Sequence, residues 1–314
     1  MDSSPLGRRR WNGLLESPGP ILADGAMGTM LFQAGLEFGD PPESWNVLHP
    51  DRVRLVHRGY LEAGARLILT NTFGGNRFRL GMHGQQGRVG ELNRIGAELV
   101  RTEVDSAATG ALVAGDIGPS GAILTPLGEL EYSDAVDGFA EQAAGLIDGG
   151  ADVIWIETMS ALEEIHAAIE GVRRVSADLP LITTMTFDTR GHTMMGVTPE
   201  QAAHALTGWG ADAIGGNCGN GPAEVETVIE KMRAALPSAV LVAKSNAGIP
   251  RLVQGRAVYE AGPSEMADHA ARVQSLGARI IGGCCGSSPA HLEAMAKSLQ
   301  AAGVIGPKAA PSHA

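Results

Sequence analysis

The sequence predicts a single-domain (β/α)8 barrel, the TIM-barrel class of α/β fold. Short β-branched and aliphatic runs alternate eight times with longer stretches rich in Ala, Leu, Glu and Arg, as in repeated βα units around a parallel sheet. A chain of 314 residues fits one such barrel, and no linker divides it. A doubly wound open sheet is the alternative. We favour the barrel because closure gives the last strand a partner in the first.

Each βα unit can be assigned along the chain. Apolar runs predict strands over residues 21–24, 67–71, 111–115, 153–157, 181–186, 213–217, 240–244 and 279–282. Helical periodicity predicts helices over residues 50–63, 89–108, 133–149, 162–175, 198–208, 222–235, 264–276 and 289–301. Two helices have clear start signals, Thr198-Pro199-Glu200 and Ser288-Pro289, because a hydroxyl side chain can cap the first turn and proline fits its first position.

The two ends of the chain differ from the rest in composition. Both are polar and punctuated by Gly and Pro. Such segments bury too little apolar surface to order themselves. We therefore expect residues 1–12 and the tail 305–314 to be disordered, with the barrel over residues 13–304.

Composition and charge narrow the class of partner. The net charge is −11, from 24 basic and 35 acidic residues, so nucleic acid and anionic membranes are poor partners and a small-molecule substrate is expected. No apolar segment approaches the ~20 residues of a membrane helix, and none follows the basic run Arg8-Arg9-Arg10 as a secretory signal would require. With three cysteines and no targeting segment, we expect a cytoplasmic protein. A homo-oligomer is compatible with these features.

All three cysteines lie in glycine-rich segments that directly follow predicted strands. These segments are Gly215-Gly216-Asn217-Cys218-Gly219 and Gly282-Gly283-Cys284-Cys285-Gly286. Adjacent cysteines bridge each other poorly, so joint binding of a metal ion, with zinc as the first candidate, uses all three thiols and leaves a fourth position open. The alternative is that the thiols fill core. The flanking glycines favour the metal site, because a core cysteine needs no backbone freedom.

Other polar residues end the neighbouring strands. In a parallel barrel these ends form one surface, where active sites lie. Asp24 and Glu157 end the first and fourth strands and suit the ammonium group of an amino-acid substrate. Helix capping or pairing with arginine is the alternative role. The backbone amides near Gly25 and Ala26 could receive the substrate carboxylate.

A zinc ion held by three thiolates prefers a soft fourth ligand. Such a site lowers the pKa of a substrate thiol and so provides a sulfur nucleophile near neutral pH. Activation of water is less suited to it, because a sulfur-rich anionic shell makes zinc a weaker Lewis acid. The residues therefore favour alkylation of a substrate thiol over hydrolysis.

Four motifs in order resemble the homocysteine S-methyltransferase family, over residues 20–300 and most closely its bacterial stand-alone betaine–homocysteine type. They are Asp24-Gly25-Ala26-Met27-Gly28-Thr29, Thr70-Asn71-Thr72-Phe73, Gly216-Asn217-Cys218 and Gly282-Gly283-Cys284-Cys285-Gly286. The resemblance implies a zinc barrel in which homocysteine binds the metal through sulfur and is converted to methionine. It also implies roles by position: zinc ligands Cys218, Cys284 and Cys285; amino-group ligands Asp24 and Glu157; and, for the carboxylate, Thr72 and the backbone near Ala26.

The methyl donor is predicted less directly. A betaine-like onium donor would favour an aromatic face, and Trp45 and Phe73 follow the first two strands. Arg77 or Arg79 could bind a donor carboxylate, although such arginines are usually just solvated. The animal betaine enzymes carry an aromatic residue after the fourth-strand glutamate, where this chain has Thr158. The resemblance therefore leaves open part of the donor pocket and the fourth zinc ligand in the absence of substrate.

Two other functions remain compatible with these residues. The donor could be S-methylmethionine, another sulfonium, or a methylated corrinoid protein. The chain could also bind zinc or thiols without turnover. Formation of methionine in a single-protein assay, with defined donors, separates these alternatives.

Overall fold

Eight parallel strands form the barrel, which confirms the predicted fold. The barrel strands are β1 (Ile21–Leu22), β2 (Leu67–Leu69), β3 (Leu112–Ile117), β4 (Val153–Met159), β5 (Leu181–Met185), β6 (Ala213–Cys218), β7 (Leu241–Ser245) and β10 (Ala278–Gly283). Between β7 and β10, the strands β8 (Arg251–Val253) and β9 (Arg256–Val258) form a separate hairpin. The order in the sheet is β1-β10-β7-β6-β5-β4-β3-β2. The first and last of these meet through a parallel bridge between Ala23 and Leu67, so the sheet closes.

The computed structural model describes residues 6–253 and 256–301. The predicted disorder of residues 1–5 and of the tail 305–314 falls outside these ranges and stays a prediction. None of the helices within the described part of the chain combines the length and apolarity that crossing a bilayer requires.

All helices but the first follow strands, and most of them cover the outside of the barrel. They are α1 (Leu6–Glu16), α2 (Gly28–Gln33), α3 (Trp45–Leu48), α4 (Pro50–Glu62), α5 (Arg77–Gly81), α6 (Val89–Ala107), α7 (Tyr132–Asp148), α8 (Leu162–Val175), α9 (Pro199–Gly208), α10 (Pro222–Ala235), α11 (Pro263–Ser275) and α12 (Pro289–Ala301). The eight predicted helices agree within one residue at each end. At α9, Thr198 and Gln201 form a reciprocal capping box, as the start signal predicts.

The core has two apolar layers, because successive strand side chains point to opposite faces of the sheet. The inner layer fills the barrel and includes Leu67, Ala114, Trp155 and Val242. The outer layer lies between the strands and the helices. Strand residues two positions beyond inner-layer residues therefore face the barrel mouth, and this alternation positions the site described below.

The N-terminal segment is ordered from residue 6, so the expected disorder of residues 1–12 is wrong for its second half. Helix α1 closes the bottom of the barrel, where Trp11 and Leu14 join the inner apolar layer. Arg10 forms an ion pair with Asp152 at 2.8 Å, at the start of β4. The polar composition was misleading because Trp11 and Leu14, the two large apolar side chains that become buried, lie on one face of the helix.

Candidate active site at the carboxyl ends of the strands

A cavity of about 410 Å³ opens at the carboxyl ends of the barrel strands. Its wall brings together nine of the ten side chains or loop residues predicted for the site, from five different strand ends. They are Asp24, Gly25, Ala26, Thr72, Phe73, Glu157, Cys218, Cys284 and Cys285. The location is the one at which TIM-barrel enzymes carry their active sites.

The three thiols form one cluster on the cavity wall. Their sulfur atoms all lie within 4.8 Å of one another, and the Sγ atoms of Cys218 and Cys284 are 2.9 Å apart. Cys218 ends β6 in the left-handed backbone region, with φ of 59°. Cys284 is fixed by its backbone N–H, which donates to the carbonyl oxygen of Ser245 at 2.7 Å. The backbone therefore presents three ligand atoms to a common point.

Asn217 aligns this cluster with the end of β4. Its side-chain oxygen accepts from the backbone N–H of Thr158 at 2.9 Å, and its Nδ2 donates to the Thr158 hydroxyl at 2.7 Å. Thr158 itself has a positive φ of 62°. These two hydrogen bonds reach across the end of β5 and hold the ends of β4 and β6 in a fixed relation. They explain why an asparagine precedes Cys218.

The loop after β1 is held tightly against the segment that follows the paired cysteines. The Tyr60 hydroxyl donates to the carbonyl oxygen of Ala26 at 2.7 Å, and the N–H of Ala26 donates to Ser287 Oγ at 3.1 Å. A Cβ atom at Gly25 would lie 2.7 Å from Ser287 Oγ and 2.8 Å from the Tyr60 hydroxyl. Glycine is therefore required at this position for close approach of two loops.

A buried ion pair lies at the base of the cavity. Lys244 Nζ is 3.1 Å from Oδ1 of Asp24, and the contact is ionic rather than a well-aligned hydrogen bond. The other oxygen of Asp24 accepts from the N–H of Leu69 at 2.8 Å. Lys244, only 3% exposed, also lies 5.8 Å above the ring of Trp155. Both oxygens of Asp24 are therefore already engaged by the protein.

Two further carboxyl groups face the same space. Asp116 and Glu157 are 4% and 7% exposed, and each has one oxygen, Oδ1 and Oε2 respectively, without a hydrogen-bond partner. Burial raises the pKa of Glu157 to about 8, with Lys244 opposing the shift. Burial also raises the pKa of Asp116, and nearby Glu157 adds to it. Such shifts accompany carboxylates that lack a positive partner.

The charges in the base of the cavity act on one another. Burial by itself lowers the pKa of Lys244, but the carboxylates of Asp24 and Glu157 outweigh it and keep this pKa above its ordinary value. The pKa of Asp24 is also raised, because burial outweighs the attraction of Lys244. Lys244 therefore stays cationic, while three acidic groups compete for one positive charge.

Thr72 lines the cavity with its hydroxyl already bonded. The hydroxyl donates to the carbonyl oxygen of Asp116 at 2.8 Å, and the side chain is fully buried. Its backbone carbonyl accepts from Nε2 of Gln142 at 2.8 Å. Thr72 therefore joins the ends of β2 and β3, and any contact with a substrate carboxylate would compete with these bonds.

The outer part of the cavity combines an aromatic ring with charges of both signs. Phe73 lines it, and so do Arg79, Glu43 and His83. The Glu43 carboxylate is buried and accepts from the N–H of Gly74 at 2.6 Å. Burial raises the pKa of Glu43, while Arg79 and His83 oppose the shift. This end of the cavity can therefore contact both charges of a zwitterion.

Trp45 lies elsewhere, which corrects one expectation for the donor pocket, and Arg77, one of two alternatives for the donor carboxylate, also lies outside the cavity lining. Trp45 is absent from the cavity lining and packs in the outer apolar layer, edge-on to His49 with Arg52 over its ring. The short helix α3 turns this indole away from the mouth. Arg77 is exposed and bonded to Glu141. Of the two arginines considered, Arg79 is the one at the cavity.

Sequence reasoning assigned no role to four residues of the cavity region: Lys244, Asp116, Glu43 and Tyr259. Strand alternation could have indicated the first two. Lys244 lies two positions beyond Val242, and Asp116 lies two positions beyond Ala114, and both of these apolar residues belong to the inner layer. Glu43 lies in an irregular loop and gives no such signal. The ring of Tyr259 packs over Gly286, directly after the paired cysteines, and sequence gives no sign of this contact.

The fold and the site together define a TIM-barrel protein with a cluster of three cysteine thiols and buried acidic side chains at the carboxyl ends of the strands. The chain belongs to the homocysteine S-methyltransferase family, because the family model with that description matches residues 21–299. It is 35% identical over 295 residues to the methionine synthase of Mycobacterium tuberculosis, covering 89% of this chain and 24% of that protein. The methionine synthase of Mycobacterium leprae has the same identity, 35% over 295 residues, and the same coverage of the two chains. The chain therefore spans about a quarter of the length of these relatives.

Solved structures share the fold. The homocysteine methyltransferase MmuM from Escherichia coli, in its metallated form, has a TM-score of 0.76 at 23% identity, over 91% of this chain and 98% of that one. Its oxidized form has a TM-score of 0.75 at 24% identity, over 92% and 99% of the two chains. Likeness at this identity supports the single-barrel architecture.

Proposed function

We propose that the protein is a zinc-dependent homocysteine S-methyltransferase that forms methionine, with betaine or a similar onium compound as methyl donor. The observation that carries this proposal is the convergence of Cys218, Cys284 and Cys285 beside buried carboxylates in one cavity. Membership of the homocysteine S-methyltransferase family supports the acceptor. The three thiols can bind a metal ion only while they are reduced, which agrees with a cytoplasmic location.

The three cysteines fit a zinc ion. Tetrahedral zinc with Zn–S bonds of about 2.3 Å separates its sulfur ligands by roughly 3.8 Å, and the three Sγ atoms here lie within 4.8 Å of one another. All three thiols are free. Zinc bound by Cys218, Cys284 and Cys285 would supply Lewis acidity, which favours the thiolate form of an acceptor thiol near neutral pH.

The acceptor fits the inner part of the cavity. Its sulfur would lie at the cysteine cluster, and its ammonium group would meet the buried acidic side chains of Glu157 and Asp24, the latter paired with Lys244. Its carboxylate would lie toward the loop of Gly25 and Ala26 and toward Thr72. Since Ala26 N–H and the Thr72 hydroxyl are already hydrogen-bonded, these contacts require small rearrangements or water.

The donor fits the outer part of the cavity. A quaternary ammonium group is attracted to an aromatic face by roughly 0.5 to 2 kcal/mol, and Phe73 provides such a face. The buried carboxylate of Glu43 adds a negative charge on the same side, and Arg79 provides a cation for a donor carboxylate. Charges of both signs around one ring favour a zwitterionic donor such as betaine over a purely cationic one.

The transfer itself needs positioning more than acid–base catalysis. The acceptor thiol loses its proton to solvent, and the sulfur electron pair forms a bond to the donor methyl carbon. The bond between that carbon and the onium nitrogen breaks, and the nitrogen keeps its electron pair and leaves as a neutral tertiary amine. Holding both reactants in line can contribute most of the rate.

Donor profiling tests this proposal. The zinc-loaded protein is incubated with homocysteine and one donor at a time, glycine betaine, S-methylmethionine or a methylated corrinoid protein, and methionine is measured. We expect methionine with betaine and at least a tenfold lower rate after Arg79→Met. Arg77→Met is the matched control, because Arg77 is exposed and bonded to Glu141.

The other outcomes separate the alternatives. Methionine from S-methylmethionine but not from betaine would show that the methyl donor is a sulfonium compound and not a quaternary ammonium compound. Turnover only with a methylated corrinoid protein would contradict a small-molecule donor. No methionine from any donor, with zinc bound, would leave a zinc- or thiol-binding protein.

A further inference from the structure

The side chain of Tyr259 contacts the cysteine cluster from outside the cavity lining. Tyr259 is half-buried and directly follows β9. Cys285 lines the cavity, whereas Tyr259 does not. The Tyr259 hydroxyl is hydrogen-bonded to the side chain of Cys285. A phenol keeps its proton near neutral pH and sulfur accepts, so Tyr259 is the donor of this bond.

A glycine makes this contact possible. Gly286, the residue after Cys285, has a φ of 81°, in the left-handed region that favours glycine. A Cβ atom at this position would lie 2.1 Å from Cγ of Tyr259 and 2.5 Å from its Cβ. The tyrosine ring therefore lies directly against the backbone that follows Cys285, which brings its hydroxyl to the sulfur.

The segment that carries Tyr259 is anchored beside the paired cysteines. Ala247 N–H donates to the carbonyl oxygen of Cys285 at 2.9 Å, and Ala261 N–H donates to the carbonyl oxygen of Ala247 at 3.0 Å. His291 accepts a backbone N–H at Nδ1, so its Nε2 carries the ring proton and donates to the carbonyl oxygen of Ala261 at 3.1 Å. These bonds fix the chain two residues after Tyr259.

The three sulfur atoms have unequal hydrogen-bond partners. Asn217 Nδ2 donates to Cys218 Sγ at 3.6 Å, and Tyr259 donates to Cys285. Within the described ranges, Cys284 Sγ receives no such bond from a side chain other than cysteine. Hydrogen bonds of this kind orient a ligand and stabilise the deprotonated sulfur that a metal ion requires. They also disperse negative charge, which favours approach of a further thiolate.

From this geometry we propose that Tyr259 is a positioning residue of the metal site. Its hydroxyl donates to the Cys285 sulfur, holds this ligand toward the cluster and disperses part of its negative charge. Tyr259 acts through Cys285 and lies outside the part of the cavity that the acceptor and donor occupy. The inference rests on the proposed function for the presence of zinc.

Tyr259→Phe tests this role, because it keeps the ring on Gly286 and removes only the hydroxyl. Zinc affinity is measured by competition with a chelator, and the sulfur-to-metal charge-transfer band is recorded on the cobalt-substituted protein. We expect zinc to bind roughly 10- to 100-fold more weakly, as for loss of an outer contact to a ligand. The band should shift to lower energy, because a sulfur without its hydrogen bond gives up electron density more readily.

Tyr132→Phe is the matched control. The Tyr132 hydroxyl is bonded to Glu170 at 3.1 Å and to His166, outside the cavity lining. This variant should leave both the zinc affinity and the charge-transfer band unchanged. An unmoved band in Tyr259→Phe would overturn the inference, whatever its zinc affinity.

Tyr259→Ala separates the hydroxyl from the packing of the ring. Full zinc affinity in Tyr259→Phe together with weak binding in Tyr259→Ala would overturn the inference, because the ring alone would then support the site. Equal weakening in the two variants would support the role of the hydroxyl. If Tyr259→Ala does not fold, the charge-transfer band of Tyr259→Phe still decides.

This inference and the proposed function can fail separately. A shifted band and weaker zinc binding in Tyr259→Phe, with no methionine formed by the unaltered protein from any donor, would contradict only the proposed function. Methionine formation by the unaltered protein, with an unmoved band in Tyr259→Phe, would contradict only the inference. Absence of metal binding at the cysteines of the unaltered protein would contradict both.

Discussion

Replacing Lys244 by glutamine should strongly destabilise the barrel. Lys244 and Asp24 are both about 3% exposed, and their charged atoms are 3.1 Å apart. Removing one partner of a buried pair leaves an uncompensated charge, which costs about 3–5 kcal/mol. The neutral pair Asp24→Asn/Lys244→Gln should cost less than the single change, since no buried charge is left unpaired.

Urea unfolding of the metal-free protein at pH 7.5 measures both variants. Lys297→Gln is the matched control, because Lys297 pairs with Glu293 at 2.7 Å but is 71% exposed. Exposed pairs contribute little, so this control should leave the free energy of unfolding nearly unchanged. The reasoning is refuted if Lys244→Gln is no more destabilising than the control, or if the double variant is less stable than the single one.

Three further predictions concern the closed end of the barrel, one buried histidine and the metal. Trp11→Ala should destabilise the protein by about 3–5 kcal/mol in urea unfolding, because the indole fills the bottom of the barrel; loss of less than ~1 kcal/mol would contradict this. Burial lowers the pKa of His57 from 6.5 to about 4. Because the unfolded chain binds the proton more readily, the stabilisation is present above pH 6.5 and is lost as the pH falls toward 4. Between pH 8 and pH 5 the free energy of unfolding should fall by about 2 kcal/mol. His57→Leu should remove this part of the pH dependence and the exposed control His204→Leu should not, so equal pH profiles for the two variants would contradict the assignment. Cys285→Ala should lose bound zinc, measured by mass spectrometry after dialysis, and full retention of one zinc per chain would contradict its role as a ligand.

The barrel was predictable because each βα unit carries its own local signal. Buried parallel strands are continuous apolar runs, and the helices between them show a regular apolar stripe. Helices α8, α10 and α12 begin and end where periodicity places them. The cysteine cluster was predictable for a topological reason, since β6 and β10 lie on either side of β7 and direct their carboxyl ends to one mouth.

What sequence did not predict depends on tertiary contacts. The order of α1 comes from burial of two side chains beneath the barrel, which composition does not reveal. The indole of Trp45 follows the first strand, but the turn of α3 directs it into the outer layer. Lys244 ends a predicted strand, yet its pairing with Asp24 requires β7 and β1 to meet at the cavity base.

The most direct test of the central claim is the zinc X-ray absorption spectrum of the loaded protein, recorded with and without homocysteine. Three cysteine ligands and an acceptor thiol predict three sulfur neighbours without homocysteine and four with it. The same spectra with 4-sulfanylbutanoate, which has the chain, thiol and carboxylate of homocysteine but no amino group, should also show four at saturating concentration, because the thiol is the same. An unchanged count of three sulfur neighbours, with homocysteine bound by calorimetry, would contradict the account.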